Sequence, residues 1–418
     1  MSPVIGAIAD DYTGATDLAV TLANGGMRVA QLFGLPTTKV NLAQTDAIVI
    51  ALKSRTILPA DAVAQSLAAL EWLQQQGIKQ VFFKYCSTFD STSQGNIGPV
   101  ADALIDRLGA DLAFVCPAFP VNGRTVYAGH LFVGDQLLSE SPMKDHPLTP
   151  MRDSNLVRLM AAQSVHKVGL IHRQVVARGA RAVEQAAQGL IAGGHRYAIV
   201  DAIDDDDLRT IGQAAASHPL ITGGSGVALG LPRNFGLGAS GTVPKKPTIQ
   251  GRSVVLAGSC SAATRGQIGH VLPIWPHQKI DVDALAAGTD TIARLLDWAI
   301  AQPRETPVLI YASADPAEVA DIQSRHGVAD SGALVETAMA RLAKGLRAAG
   351  FNRMVVAGGE TSGAVVGALD LPALQICAEI APGVPWTQTL TGEPMALALK
   401  SGNFGGVDFF EKAFKVLE

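Results

Sequence analysis

Acids, cations and hydroxyls crowd into a few short runs of this chain, and each run follows a stretch of apolar residues. Asp10-Asp11-Tyr12-Thr13-Gly14 sets two carboxylates beside a Thr-Gly pair that opens a helical pattern. One carboxylate can take a proton from a hydroxyl nucleophile or hold a magnesium ion, while helix N-terminal amides meet an anion. The plainer reading is a helix cap with a spare acid. Lys53-Ser54-Arg55-Thr56 and Lys84-Tyr85-Cys86-Ser87-Thr88-Phe89-Asp90-Ser91 add cations, hydroxyls and a further acid. Such a set suits a ligand with one carboxylate and several hydroxyls, which Arg55 can grip bidentately. Arg124, in Pro120-Val121-Asn122-Gly123-Arg124-Thr125, and His130, in Gly129-His130-Leu131, follow further on. Each run alone reads more simply as a cap or as loop salt bridges, and a lone histidine is ordinarily structural; the runs taken together read as a binding site.

Glycine-rich runs dominate the second half. Gly258-Ser259-Cys260-Ser261, Gly358-Gly359-Glu360-Thr361-Ser362-Gly363 and Lys400-Ser401-Gly402-Asn403-Phe404-Gly405-Gly406 each follow an apolar run. They offer hydroxyls and backbone amides, the first two at helix starts, as a phosphate cradle does. Any one of them alone is as well explained as a tight turn. No P-loop or dinucleotide fingerprint is present. The nine histidines and four cysteines show no metal-ligand spacing, so the sequence assigns no metal ligands.

These loops need rigid elements to present them. Apolar, strand-like runs at residues 4–9, 47–52, 80–85, 112–116, 168–171, 197–200 and 220–222 are interleaved with helical patterns at 15–23, 60–75 and 96–108. Periodicity fails over residues 231–252, where Pro232, Gly236, Gly238, Pro244 and Pro247 gather. Strand-like runs resume at 253–257, 307–311, 354–357, 374–380 and 395–399, with a helical pattern at 333–349. The expectation is an α/β protein of two domains, 1–230 and 253–418, joined by a linker at 231–252. Each domain is a mostly parallel sheet flanked by helices, with the active site in the cleft between them.

The 418 residues are 48% hydrophobic and 17% charged, enough apolar material for large interiors. A formal net charge of −4 gives no basic stripe for nucleic acid or anionic membrane, so a small molecule is the expected partner. No leader-like start and no stretch of roughly 18 apolar residues occurs, which places the protein in the cytoplasm. The sequence leaves a homo-oligomer open.

Ala9-Asp10-Asp11-Tyr12-Thr13-Gly14-Ala15, Lys84-Tyr85-Cys86-Ser87-Thr88-Phe89-Asp90-Ser91 and Gly358-Gly359-Glu360-Thr361-Ser362-Gly363 together resemble the four-carbon acid sugar kinase family, over nearly the whole chain. The runs from Cys116 to Tyr127 and from His146 to Met151 look most like the branch that acts on 3-oxo-tetronates. The resemblance implies an acid-sugar-binding first domain, an ATP-binding second domain, phosphate transfer to the O4 hydroxyl, and a decarboxylase partner that consumes the product. By the same likeness Asp11, Arg55, Lys84, Ser87, Asp90 and Arg124 fall at acid-sugar positions. Ser259, Gly358, Gly359, Glu360, Thr361, Ser362, Gly363 and Gly402 fall at nucleotide positions. The residues themselves add Asp10 and His130 to the first set and Ser261, Asn403 and Gly405 to the second. Asp11 or Asp90 is the expected proton acceptor, with Mg2+ bridging the phosphates. Rival expectations are a threonate or erythronate kinase, a non-catalytic acid-sugar sensor, and a nicotinamide dehydrogenase, the last disfavoured by the missing fingerprint.

Overall fold

A computed structural model describes residues 3–146, 148–238 and 244–418. Pro147 and, within the expected linker, residues 239–243 lie outside the described residues. The chain divides into two compact units, Met1–Val243 and Pro244–Glu418.

The first unit supplies strands β1 (Ile5–Ala9), β2 (Val29–Phe33), β3 (Ala47–Ala51), β4 (Gln80–Lys84), β5 (Ala113–Cys116), β6 (Arg124–Tyr127), β7 (His130–Val133), β8 (Gln136–Leu137), β9 (Lys167–Ile171), β10 (His195–Val200) and β11 (Leu220–Gly223). Its main sheet runs β2-β3-β1-β4-β11-β5-β10-β9, with every neighbour parallel. β1 (IGAIA) and β3 (AIVIA) are buried along their whole length. Unbroken apolar runs of this kind mark parallel strands covered on both faces. β2 has no such run to announce it: its central Gln31 is buried because Thr16 of the helix Tyr12–Asn24 exchanges hydrogen bonds with its side-chain amide at 3.0–3.1 Å.

β6, β7 and β8 form a separate antiparallel meander that the sequence did not suggest. Phe119 and Arg124 exchange backbone hydrogen bonds (2.8 and 3.1 Å) and so tie its first strand to the exit of β5. Its two-residue turn, Ala128-Gly129, has φ of 49° and 75°, and both turn amides donate to the buried Asp201 carboxylate at 2.8 and 2.9 Å. Asp201 thereby pins a turn that an alanine alone would not choose.

The second unit supplies β12 (Ser253–Ala257), β13 (His277–Lys279), β14 (Val308–Tyr311), β15 (Arg353–Ala357), β16 (Ala373–Ala381), β17 (Val384–Thr389) and β18 (Ala396–Lys400). Their order is β13-β14-β12-β15-β18-β17-β16, parallel as far as β18 and antiparallel beyond it. β13 is exposed throughout and so left no apolar signal. The closing helix Phe409–Lys415 packs Phe409, Phe410 and Phe414 into the core, where Trp386 Nε1 donates to Ala413 O at 2.9 Å. Among the described residues no helix is long and apolar enough to cross a membrane.

Candidate functional site

Each unit gathers its polar loops at the carboxyl ends of adjacent strands. In the first unit these are β3, β1, β4, β11 and β5. Asp11 starts the helix Tyr12–Asn24: its Oδ1 accepts from Gly14 N at 3.0 Å. Asp10 is 6% exposed and holds the exit of β3, its backbone oxygen accepting from Ser54 N (3.0 Å) and Arg55 N (3.2 Å). Arg55 returns the contact through its side chain, with Nε to Asp10 Oδ2 at 2.9 Å and Nη2 to Asp10 Oδ1 at 2.8 Å and to Asp11 Oδ1 at 2.7 Å. Burial pushes the Asp10 carboxyl above the ordinary carboxylate range, and the Arg55 fork pulls it back. The guanidinium expected to grip a ligand carboxylate is thus already held by two acids of its own chain, leaving Nη1 as its uncommitted nitrogen among the described residues.

Lys84 ends β4 with its ammonium buried, donating to Tyr85 O at 2.7 Å. A Cβ at Gly14 would stand 2.9 Å from that ammonium and 2.4 Å from Asp11 Oδ1, so only glycine lets the helix start settle against both groups. Beyond Lys84 the loop turns at Phe89, a fully buried aromatic with φ of 53°. A bulky residue in this conformation is strained and is held by its surroundings. Here Phe89 meets the Tyr85 ring edge-on at 5.5 Å. The turn leaves Asp90 half-buried, its Oδ1 accepting from Thr88 Oγ1 at 2.6 Å, while Thr88 Oγ1 lies 2.9 Å from Cys86 Sγ. Burial and the neighbouring Asp90 push the Cys86 thiol up to about 11.

Ser87 faces the β11 exit, where a Cβ at Gly224 would lie 3.5 Å from its own. The same exit packs backbone against backbone. Cβ atoms at Gly223, Gly224 and Gly226 would fall 2.1, 2.6 and 2.6 Å from the carbonyls of Cys116, Pro117 and Ala118. Arg124 and His130 stand on the meander. Arg124 Nη1 donates to Asn122 O, and its Nε has no partner among the described residues. His130 Nδ1 lies 3.0 Å from Ala128 O, so it donates there, and its Nε2 faces Asn155 Nδ2 at 3.4 Å. The ring nitrogens thus serve the meander's turn and its junction with Asn155, which starts the helix Leu156–Ala161. Sequence reasoning missed Asn96, which donates to Ser54 O, Arg55 O and Ile57 O at 2.7–3.2 Å and so fixes the Arg55 loop. Its one sequence signal was its place just before the helix Ile97–Leu108.

In the second unit three loops leave the neighbouring strands β12, β15 and β18. Gly258 and Ser259 amides donate to Ala357 O (3.0 and 3.1 Å), and Gly358 N donates to Lys400 O (2.8 Å). Ser261 starts the helix Ala262–Val271 by accepting from Thr264 N at 3.2 Å, and its hydroxyl donates to Gly402 O at 2.7 Å. Gly358, with φ of 131°, delivers the chain into the helix Gly359–Leu369, whose first turn carries Glu360, Thr361, Ser362 and Gly363. A Cβ at Gly258 would meet Thr361 Oγ1 at 2.2 Å, and one at Gly402 would meet Ser259 Oγ at 2.4 Å. The glycines are therefore what lets the three loops converge. Gln267 Nε2 donates to the carbonyls of Phe404, Gly405 and Gly406 at 3.0 Å each, shaping the third loop behind the exposed Asn403. The Ser362 hydroxyl has no partner among the described residues. Beside the loops lies a cavity of about 190 Å³, bounded by Gly258, Glu360 and Thr361 and by apolar Val282, Ile322 and Val335.

Among the described residues no cluster of three or more His, Cys, Asp or Glu side chains forms a metal site. The chemistry on offer differs between the units. The first holds paired acids and buried cations suited to a hydroxylated acid; the second holds amides and hydroxyls at two helix starts, suited to phosphates.

Comparison with known proteins agrees with this division. The sugar-binding N-terminal domain family matches residues 5–231, and the nucleotide-binding C-terminal domain family matches residues 254–410. A 3-oxo-tetronate kinase of Burkholderia multivorans is 55% identical over 420 residues, covering 100% of this chain and 98% of that protein. A crystal structure of a Haemophilus influenzae protein of the DUF1537 family is similar at a TM-score of 0.89 and 45% identity, covering 99% of this chain and 100% of that one. Another, from Salmonella typhimurium and described as a tRNA synthase, has a TM-score of 0.92 at 44% identity and 98% coverage of both chains.

Proposed function

This chain belongs to the four-carbon acid sugar kinase family, and from that membership we propose that it transfers the terminal phosphate of ATP to the O4 hydroxyl of a 3-oxo-tetronate. The observation that carries the reading is the 55% identity, over the whole chain, to a protein named 3-oxo-tetronate kinase. The loop chemistry of the two units supports it. The tRNA-synthase description of the Salmonella structure is not carried over, because a formal net charge of −4 offers no electrostatic footprint for a nucleic acid.

Phosphoryl transfer asks the protein for in-line positioning, neutralised phosphate charge and a group that accepts the hydroxyl proton. In this reading Lys84, Arg124 and Arg55 Nη1 hold the carboxylate and keto oxygens of the sugar acid, and Ser87 holds a hydroxyl. Asp90 takes the O4 proton as that oxygen bonds to phosphorus and ADP leaves. Asp11, already bonded to Gly14 N and Arg55, orients the loop. The amides and hydroxyls around Ser259, Ser261, Gly358–Gly363 and Gly402–Gly405 cradle the phosphates, and the 190 Å³ cavity beside them suits the base. In-line transfer further requires both sets of loops to serve one pair of reacting atoms.

Magnesium keeps most of its ligands from water and phosphate and needs only one or two carboxylates; the exposed Glu360 carboxylate, in the first turn of the helix Gly359–Leu369, is the residue that would hold it. When bound it offsets the charge of the transferring phosphate. A decarboxylase that removes the carboxylate of the β-keto-acid product would follow in sequence.

A panel of 3-oxo-tetronates, threonate and erythronate with coupled detection of ADP tests the proposal. ADP release with a 3-oxo-tetronate, and little without sugar acid, is the expected result. Faster turnover of threonate or erythronate would move the chain to a sibling activity, and no turnover of any tetronate would overturn the reading.

A further inference from the structure

Lys400 closes β18 directly beneath the converging loops, and it is 0% exposed. Its ammonium donates to Thr264 Oγ1 at 3.0 Å, Ser401 O at 3.0 Å and Gly402 O at 2.8 Å. All three acceptors are neutral. The Phe409 ring, 5.9 Å away, adds only a weak cation–π contact. A buried cation with no counter-charge is costly to keep in a fold, and sites that keep one are enriched in function.

The geometry gives it a task. Gly402 O accepts at once from Lys400 Nζ, from Ser261 Oγ (2.7 Å) and from Thr264 Oγ1 (2.8 Å). Because a trans peptide is planar, a carbonyl drawn inward turns the next amide, that of Asn403, toward the open side of the loop. We propose that Lys400 is a positioning residue of the nucleotide site: as a cation it locks the 401–406 loop with its amides presented to the phosphates, and it supplies a buried positive charge that a polyphosphate neutralises. Nucleotide binding and protonation of Lys400 are then linked, each favouring the other. The inference rests on the reading of the second unit as the nucleotide-binding one.

Burial alone pulls the Lys400 ammonium down to about 8, with no charged neighbour contributing. The titratable groups on the surrounding elements are Cys260 and Glu360 on the adjoining loops, Arg265 and His270 on the helix Ala262–Val271, and Asp408, Glu411, Lys412 and Lys415 around the last helix. β17 has none, and β15 has only Arg353, at its opposite end.

Titration calorimetry of the full chain with Mg-ATP, in buffers of different ionisation heat, tests the linkage without any substitution. Affinity should fall roughly tenfold between about pH 7 and pH 9, with uptake of a fraction of a proton near the upper end. Adenosine, which carries no phosphate, should bind without either effect. Lys400→Met, checked for folding by circular dichroism, should bind ATP roughly 10- to 100-fold more weakly at about pH 7, as loss of a charged hydrogen bond does, and its pH dependence should be flat. A merely structural lysine would give no proton uptake. ATP binding with constant affinity and no proton uptake would remove the inference alone; no ATP binding at any pH would remove the nucleotide reading with it.

Discussion

Replacing Arg55 by methionine isolates the cost of the acid pair it holds. In the parent protein Asp10 is 6% exposed and receives two guanidinium hydrogen bonds, at 2.9 and 2.8 Å. Arg55→Met removes both and leaves Asp10 only the field of Lys84 to oppose its desolvation. Breaking a buried ion pair from one side costs about 3–5 kcal/mol, which for a unit of this size is a fall in Tm of roughly 6–20 °C. The sign with pH follows from burial. Desolvation already raises the folded carboxyl above its ordinary 3.8, and losing Arg55 raises it further. The folded state therefore prefers the protonated acid, and its disadvantage grows as pH rises from the ordinary value through the folded one. The deficit should be largest near neutrality and shrink toward pH 5. Asp10→Asn in the Arg55→Met background removes the stranded charge and should recover most of the loss. Thermal unfolding followed by circular dichroism at the two pH values reads all three effects. An Arg55→Met protein that melts at the parent temperature near neutrality, or whose deficit is the same at both pH values and unmoved by Asp10→Asn, would refute the account of the pair.

Other expectations concern the loops. Asp90→Asn should lower kcat by about 10²–10⁴ with little change in the KM for ATP, whereas Asp11→Ala, which removes the oxygen that accepts from Gly14 N, should act mainly on stability, at about 1 kcal/mol, through the helix start; coupled ADP assays and melting curves separate the two, and parental kcat in Asp90→Asn removes it as the base. Gly258→Ala drives a methyl to within 2.2 Å of Thr361 Oγ1 and should raise the KM for ATP roughly 5- to 100-fold, the equivalent of a 1–3 kcal/mol overpacking cost. Gly269→Ala, where nothing lies within 4 Å, should instead stabilise the protein by about 0.5–1 kcal/mol. Phe89→Ala should cost about 3–5 kcal/mol of stability through the cavity left, with the backbone strain at φ 53° retained because alanine keeps its Cβ, as denaturant unfolding would register.

The α/β architecture was legible because fully buried parallel strands such as AIVIA and VVLA read as short apolar runs, and because acids and glycines stood immediately after them. β2 escaped because Gln31 interrupts its run, and that glutamine is tolerable only through a partner on the preceding helix. The meander escaped because its strands are short and half-exposed, and its turn depends on Asp201, more than 70 residues away along the chain. The same limit applies to the candidate sites. Composition could mark Arg55 as a carboxylate gripper but not reveal that Asp10 and Asp11 already occupy most of its fork. Lys400 looked like the first residue of a glycine loop; its burial, set by its place as the last residue of an interior strand, has no signature in the local sequence.

The glycine contacts between the exits of β11 and β5 bear on how this protein can change. There the floor of the first unit's site is written in main chain: residues 223, 224 and 226 meet neighbouring carbonyls with no room for a methyl group. A library randomising those positions would return glycine or dead clones, since no side chain exists there to be exchanged. Altered preference among sugar acids must then be sought in the walls, at Ser87 and Arg124, where a new side chain can alter the ligand's surroundings without prising two backbones apart.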